Sequence, residues 1–178
     1  MKIAINNNLQ MTAEANKGQQ LSKNFTLEEL ANNAGDPAKP QYLVTPESIM
    51  FVSILQTFRN IVAAPVVVNS GYRQPEYNKK IGGDSRSAHT HGCAVDIQPI
   101  KGLSTTDIIE SWITACAAYG VIGAVNIYPD HAYYHLEAFS NKWYEASQNT
   151  IRVYSTDSEY RALAARYKNY PITVMRCK

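Results

Sequence analysis

The residues best suited to chemistry lie between Ser87 and Asp96, where a histidine and an aspartate stand seven positions apart. On a regular α-helix seven residues rise roughly 10 Å, too far for two short side chains to bind one ion with bonds of about 2 Å. His89 and Asp96 can share a metal only if the chain bends between them, and Gly92 can adopt the backbone angles of such a turn. In the strand predicted to follow, apolar residues alternate with Asp96, so one face is apolar and the other carries the carboxylate.

A catalytic zinc site needs a third protein ligand and a free position for water, and His135 is the natural third ligand. It lies in the β-prone run 132–139, in which His135 and Glu137 share one strand face. The four histidines form two short clusters, at positions 89 and 91 and at positions 131 and 135. This clustering favours a shared metal site. The competing interpretation is that each is a capping or solvent-facing residue near a turn.

A longer series of motifs leads into the histidine segment. In chain order the motifs are SGYR at residues 70–73, PEYN at 75–78, two glycines at 82–83, and S-x-H-x-x-G-x-A-x-D at 87–96. This order resembles that of the M15 family of zinc D-Ala-D-Ala carboxypeptidases and related peptidoglycan endopeptidases, especially the small members found in bacteriophages. The resemblance covers roughly residues 21–140. It implies a hedgehog/DD-peptidase-like fold.

The resemblance also implies roles for individual residues. It assigns one Zn²⁺ ion to three ligands, His89, Asp96 and His135, and makes Arg73 the cation that orients substrate or stabilises charge. A bound zinc can lower the pKa of its water to about 7 and polarise a scissile carbonyl. The planar guanidinium of Arg73 suits a peptide carboxylate or a developing oxyanion, and its alternative role is a structural ion pair. Ser87 matches the family serine and forms either a hydrogen bond near the site or a turn.

The general base is the point where this sequence departs from the family pattern. Relatives commonly carry an acid or a histidine three residues before the last zinc histidine, where this chain has Ala132. Asp130, in the preceding loop, is the first candidate to replace it. Glu137, on the same strand face as His135, is the second candidate, and His131, the residue after Asp130, is the third. Glu137 has the alternative role of anchoring a ligand imidazole.

Length and charge limit the remaining possibilities. The 178 residues predict an N-terminal tail over residues 1–20 and a single domain over residues 21–178, with residues 140–178 as an extension. The resemblance implies that this domain is a peptidase. A net charge of +2 without a basic stripe argues against a nucleic-acid partner. No apolar run is long enough to span a membrane, so we expect no membrane partner. The resemblance implies that the chain binds peptidoglycan peptides, and we expect a monomer.

The cysteines and the N-terminal segment predict where the protein is made. Cys93, Cys116 and Cys177 show no disulfide or C-x-x-C pattern, so we expect free thiols, the first two in the core, and a reducing compartment. Residues 1–20 lack the apolar core of a signal peptide, which predicts synthesis in the cytoplasm. A wall-active enzyme would then reach its substrate by phage-induced lysis, through a membrane pore or on a virion.

The elements expected to position the site form an α+β fold, with helices packed on a single antiparallel sheet. Helices are predicted after the capping residues Thr26 and Thr45 and over residues 75–80, 105–120 and 157–168, with a break at 36–40. Strands forming a meander are predicted over residues 65–69, 93–97, 121–128 and 132–139.

Three classes of function follow from these patterns. The leading one is a zinc metallopeptidase that cleaves peptidoglycan stem or cross-link peptides containing D-amino acids. The second is a non-catalytic zinc-containing binding or structural module, such as a phage tail or assembly component, which Ala132 favours. The third is an interaction protein without metal, which the ordered motifs disfavour. Within the first class, carboxypeptidase, L-alanyl-D-glutamate endopeptidase and cross-stem endopeptidase activities stay open, and the compact chain favours a phage-type endopeptidase.

Overall fold

The structure, a computed structural model, describes residues 3–5, 11–14, 18–31 and 41–178. The strands are β1 (Ile3–Ile5), β2 (Met11–Glu14), β3 (Gln41–Val44), β4 (Val68–Ser70), β5 (Ala94–Ile97), β6 (Gly123–Ile127), β7 (Tyr134–Ala138), β8 (Asn149–Val153) and β9 (Ile172–Arg176). The α-helices are α1 (Leu27–Leu30), α2 (Pro46–Val62), α3 (Pro75–Lys80), α4 (Thr105–Ala117), α5 (Ser140–Trp143) and α6 (Asp157–Tyr167). Two short 3-10 turns cover Ala88–His91 and Pro129–His131. The helix break predicted at residues 36–40 lies outside the described residues.

The strands in the described part of the chain form two sheets. A small antiparallel sheet has the order β1-β2-β3, so residues 3–5 and 11–14 of the predicted tail take part in it. A six-stranded sheet has the order β4-β5-β7-β6-β8-β9. Its first four strands pair antiparallel, whereas β8 runs parallel to β6 and β9 parallel to β8. The α+β class is confirmed, but the single antiparallel sheet is only partly right because the large sheet is mixed.

The parallel half of the large sheet follows from its connections. Both edges of β7 are already paired, with β5 and with β6, so β8 adds at the open edge of β6. From there β8, α6 and β9 form a strand–helix–strand unit, and a helical crossover is what allows consecutive strands to run parallel. The predicted sheet ended at residue 139 and therefore lacked these two strands.

Capping residues set the helix starts as the sequence predicted. Thr26 and Glu29 form a capping box at the start of α1, and Thr45 caps α2 with proline at its first position. The core lies where α2 packs against α4 and α4 packs against β6 of the large sheet, and Trp112 of α4 is fully buried edge-on to Phe58 of α2. The Trp112 indole N–H donates to the Glu137 carbonyl oxygen at 2.9 Å, which ties the core to β7.

The cysteines agree with the sequence prediction. All three are unpaired, and Cys93 and Cys116 are buried in the core. Burial raises the pKa of both thiols, so they stay protonated at neutral pH. Within the described ranges, every helix is too short or too polar to cross a lipid bilayer.

Candidate metal centre and substrate cavity

Strand register brings together two of the predicted ligands. Asp96 on β5 and His135 on β7 are directly opposite each other in the antiparallel ladder. Side chains of opposed residues lie on the same face of a sheet with their Cβ atoms about 5 Å apart. The Oδ1 atom of Asp96 accordingly lies 2.9 Å from Nδ1 of His135, although the residues are 39 positions apart.

His89 reaches this pair from the 3-10 turn before β5. The turn ends at Gly92, whose φ of 66° is in the left-handed region, so the bend predicted there is confirmed. The Nδ1–H of His89 donates to the Gly71 carbonyl oxygen at 2.7 Å, which leaves the Nε2 lone pair facing the strand pair. His89 Nε2 lies 3.0 Å from His135 Nδ1 and 3.3 Å from Asp96 Oδ1.

The three facing atoms have the dimensions of a metal site. Their separations are 2.9, 3.0 and 3.3 Å, and all three side chains are buried. A tetrahedral zinc ion with bonds of about 2.0–2.1 Å holds its ligands about 3.3 Å apart. Two imidazole nitrogens and one carboxylate oxygen are donors that such a divalent ion accepts. The group formed by His89, Asp96 and His135 therefore fits one metal ion.

Glu137 holds the second nitrogen of His135. Its Oε2 atom lies 3.2 Å from His135 Nε2, while Oε1 accepts from Ser140 Oγ at 2.7 Å and from Arg152 Nη2 at 3.2 Å. A carboxylate behind a metal-binding imidazole fixes the tautomer and makes the other ring nitrogen a better ligand. Glu137 is fully buried with both oxygens committed to protein groups, which is the geometry of the anchoring role.

Arg73 fixes the second oxygen of Asp96. Its Nη2 atom donates to Asp96 Oδ2 at 2.5 Å, and its Nε donates to Ser70 Oγ at 3.0 Å. The Arg73 side chain is 17% exposed and lines the cavity described below, so it is both an ion-pair partner and a cation available to a ligand. Ser87 also lines the cavity, and its Oγ accepts from the His89 backbone N–H, so its turn-forming role is observed.

A cavity of about 240 Å³ opens over the three facing atoms. Much of its wall is tyrosine, with Tyr128 stacked on Tyr133 at 4.6 Å between ring centres and on Tyr154 at 5.0 Å. On the same wall the guanidinium of Arg152 lies 4.5 Å above the ring of Tyr144. The remaining lining residues not yet placed are Gly83, Asp84 and Asn126.

A comparison with protein families matches residues 23–136 to the family described as Peptidase M15. This chain belongs to the M15 peptidase family. The resemblance drawn from the motifs is thereby confirmed, and membership implies metallopeptidase activity. The match contains all three residues of the group that fits a metal ion. No curated protein sequence matches the chain significantly.

The three candidates for the base of this M15 peptidase lie outside the lining of the cavity. Asp130 is exposed on the second 3-10 turn, with a φ of 61°. His131 faces the helices, with Nδ1 3.3 Å from Thr105 Oγ1 and Nε2 3.2 Å from Glu159 Oε1. Glu137 lies behind His135.

Sequence reasoning missed several residues of the cavity. Of the described acidic residues, only Asp84 lines it besides Asp96, and the Asp84 side chain is 51% exposed at the rim. Asp84 follows the glycine pair of the motif series, which is the one sequence signal that places it near the site. Tyr144, Arg152 and Tyr154 lie beyond the motifs and carried no such signal.

In the metal-free M15 site, electrostatic interactions favour a proton on His135, beside the other two ligand residues. Burial alone lowers the pKa of His135, but hydrogen bonds to Asp96 and Glu137 outweigh it and raise the pKa to about 9 in the metal-free protein. Burial raises the pKa of both carboxyl groups, yet their hydrogen bonds to histidine prevail, holding the pKa of Asp96 well below its usual range and that of Glu137 at about 2. Burial lowers the pKa of His89. At neutral pH the metal-free site therefore carries a protonated His135 between two carboxylates.

Metal affinity is expected to fall as the pH decreases. A metal ion that binds His135 must displace this proton, because an imidazole ligand has to be unprotonated at the coordinating nitrogen. With a pKa of about 9 for His135, one proton leaves per ion between pH 6 and pH 8, so the Kd for Zn²⁺ rises about tenfold per pH unit lost. Competition with a chelator of known affinity at pH 6, 7 and 8 measures this slope. A Kd that stays constant over this interval would contradict the protonated state.

Proposed function

We propose that this M15 peptidase uses zinc to hydrolyse peptidoglycan stem or cross-link peptides that contain D-amino acids. The supporting observation is the convergence of His89, Asp96 and His135 at a cavity of about 240 Å³. Pockets for drug-sized ligands usually span about 300–1,000 Å³, so this smaller cavity suits a short stretch of peptide. The motif resemblance to peptidoglycan peptidases supplies the substrate class.

In this mechanism the protein groups hold and orient the reacting parts. His89, Asp96 and His135 hold the zinc ion, which when bound supplies Lewis-acid activation of water and of the scissile carbonyl. Arg73 keeps Asp96 in place and offers its remaining donors to the negative charge that develops on the carbonyl oxygen. Asp130 stays the proposed base, because it is exposed two residues from the cavity-lining Tyr128; Glu137 and His131 are the alternatives.

Digestion of purified sacculi by the zinc-loaded protein tests this function. We expect soluble peptides that mass spectrometry can identify, loss of their release with chelator, and recovery when zinc is restored. Free D-alanine would indicate a carboxypeptidase, and new alanine or glutamate termini would indicate an endopeptidase. If zinc-loaded protein released neither peptide nor free D-alanine, the proposal would fail.

A second function is favoured by Ala132, which removes the acid or histidine that relatives commonly carry at this position. The chain would then be a non-catalytic zinc-containing binding or structural module, for example a phage tail or assembly component. Zinc bound at one equivalent without hydrolysis would support it.

For either function we propose that residues 21–178 form one domain with a hedgehog/DD-peptidase-like fold. We further propose that the protein is a monomer and that its partner is peptidoglycan rather than nucleic acid or a membrane.

A further inference from the structure

The C-terminal part of the chain completes the wall of the cavity. The family match ends at residue 136, yet Tyr144, Arg152 and Tyr154 from the following segment all line the cavity. Arg152 and Tyr154 belong to β8 and to the residue after it, so the parallel extension of the sheet brings them beside the metal-binding group. This part of the wall is a feature of this chain beyond the matched family region.

Arg152 is held in one orientation by three neighbours. Its Nη1 donates to Asn126 Oδ1 at 3.1 Å, its Nη2 donates to Glu137 Oε1 at 3.2 Å, and its guanidinium lies 4.5 Å above the Tyr144 ring. The side chain is only 12% exposed. An arginine has five N–H groups in a planar fork, so these two hydrogen bonds leave further donors on a group that lines the cavity. A fork fixed in this way is suited to a carboxylate.

The charges around the cavity also favour an anionic ligand. Arg73 pairs with Asp96 and Arg152 pairs with Glu137, so the net charge of each pair is zero. Among the described residues that line the cavity, only Asp84, which lies half-exposed at the rim, would then face the two positive charges of a bound divalent ion. A cavity with an excess of positive charge attracts anionic ligands and repels cationic ones.

We propose that Arg152, supported by Tyr144, binds a free carboxylate of the substrate and is a specificity-determining residue. This inference rests on the proposed function and narrows its substrate class to peptides with a carboxylate next to the cleaved bond. In peptidoglycan stems such a group is the α-carboxylate of D-glutamate or the C-terminal carboxylate. Arg152 thus determines which peptide binds, whereas His89, Asp96 and His135 would hold the metal ion used in hydrolysis.

Calorimetric binding of matched peptides tests this subsite. The probes are the pentapeptide L-Ala-γ-D-Glu-L-Lys-D-Ala-D-Ala and two analogues, one amidated at the D-glutamate α-carboxylate and one at the C-terminus. On zinc-loaded wild-type protein we expect one of the two analogues to bind about tenfold to a hundredfold more weakly than the acid, the range for a hydrogen bond to a charged group. In Arg152→Gln the acid and that amide should bind equally, and Arg152→Lys should restore part of the preference.

The ratio of acid to amide affinity separates a specificity role from a structural one. Loss of the contact to Glu137 would weaken both peptides together and leave the ratio unchanged, so zinc content is measured in each variant. Arg166→Gln is the matched control, since Arg166 pairs with Glu110 on the exposed surface, and it should keep the wild-type ratio.

Each outcome bears on one of the two proposals. Equal affinity of wild-type protein for acid and amides, no binding of any peptide, or an unchanged ratio in Arg152→Gln would overturn the subsite. Selective binding without hydrolysis would contradict the proposed peptidase function and leave the subsite standing. Hydrolysis without any preference for the acid would contradict the subsite alone.

Discussion

Replacing His135 with alanine is expected to abolish stoichiometric zinc binding and to lower peptide hydrolysis by more than about a hundredfold. Loss of a group that only supports a ligand already costs about 10–100-fold, and this change removes a ligand itself. It also leaves the carboxylates of Asp96 and Glu137 buried without the imidazole that contacts both. Zinc content after dialysis, together with the rate of peptide release, measures the two effects.

His131→Ala is the matched control for this variant. His131 lies four residues earlier on the chain, its side chain is 36% exposed, and it contacts Glu159 rather than the metal-binding group. We expect this variant to bind zinc at one equivalent. Full zinc content or undiminished hydrolysis in His135→Ala would contradict the assignment of His135. Normal zinc content with lost hydrolysis in His131→Ala would instead identify His131 as the base.

Replacing Glu137 with glutamine is expected to weaken zinc binding by about 10–100-fold while one equivalent still binds at saturation. Glutamine keeps the shape of the side chain but removes the negative charge that holds His135 Nε2–H. It also takes from the largely buried Arg152 the carboxylate with which it pairs. Chelator competition at fixed pH measures the affinity, and hydrolysis at saturating zinc shows whether the reaction itself is affected.

Glu159→Gln provides a control with the same local geometry. Glu159 Oε1 lies 3.2 Å from His131 Nε2, the distance that separates Glu137 Oε2 from His135 Nε2. The change removes one carboxylate facing one imidazole in both variants, but only His135 belongs to the metal-binding group. We expect an unchanged Kd in Glu159→Gln, and equal Kd values for both variants would disprove the anchoring role of Glu137. Hydrolysis reduced more than zinc affinity in Glu137→Gln would favour the base role.

The parts of the site that the sequence predicted are those governed by local rules. The turn at Gly92 and the strands of Asp96 and His135 follow from glycine conformation and from alternation of apolar residues. That His135 would stand opposite Asp96 depends on strand register, which residue spacing does not encode. The prediction that the two residues meet came from the resemblance of the motif order to the M15 family. The comparison with protein families confirms that the chain belongs to this family.

The parts that could not be predicted depend on contacts between distant segments. Arg152 meets Asn126 across 26 positions of the sequence, and an isolated arginine in a strand carries no pattern that indicates such a contact. Beyond residue 139 the predicted sheet has no continuation, and in the structure Phe139 adopts a φ of 62°, after which β7 ends and the short helix α5 begins. The following strand, β8, then pairs with the edge of β6 that β7 leaves open, and no local sequence preference indicates this pairing.

An ion shared by His89, Asp96 and His135 would cross-link two neighbouring strands and the turn that precedes one of them. Such a bridge exists only in the folded chain, so metal uptake and folding are linked equilibria. Once the concentration of free metal exceeds its Kd, each further tenfold increase adds about 1.4 kcal/mol to the free energy of unfolding. A shortage of metal would therefore lower the stability of the fold as well as its activity. Resistance to proteolysis would then report how much of the protein holds its metal ion.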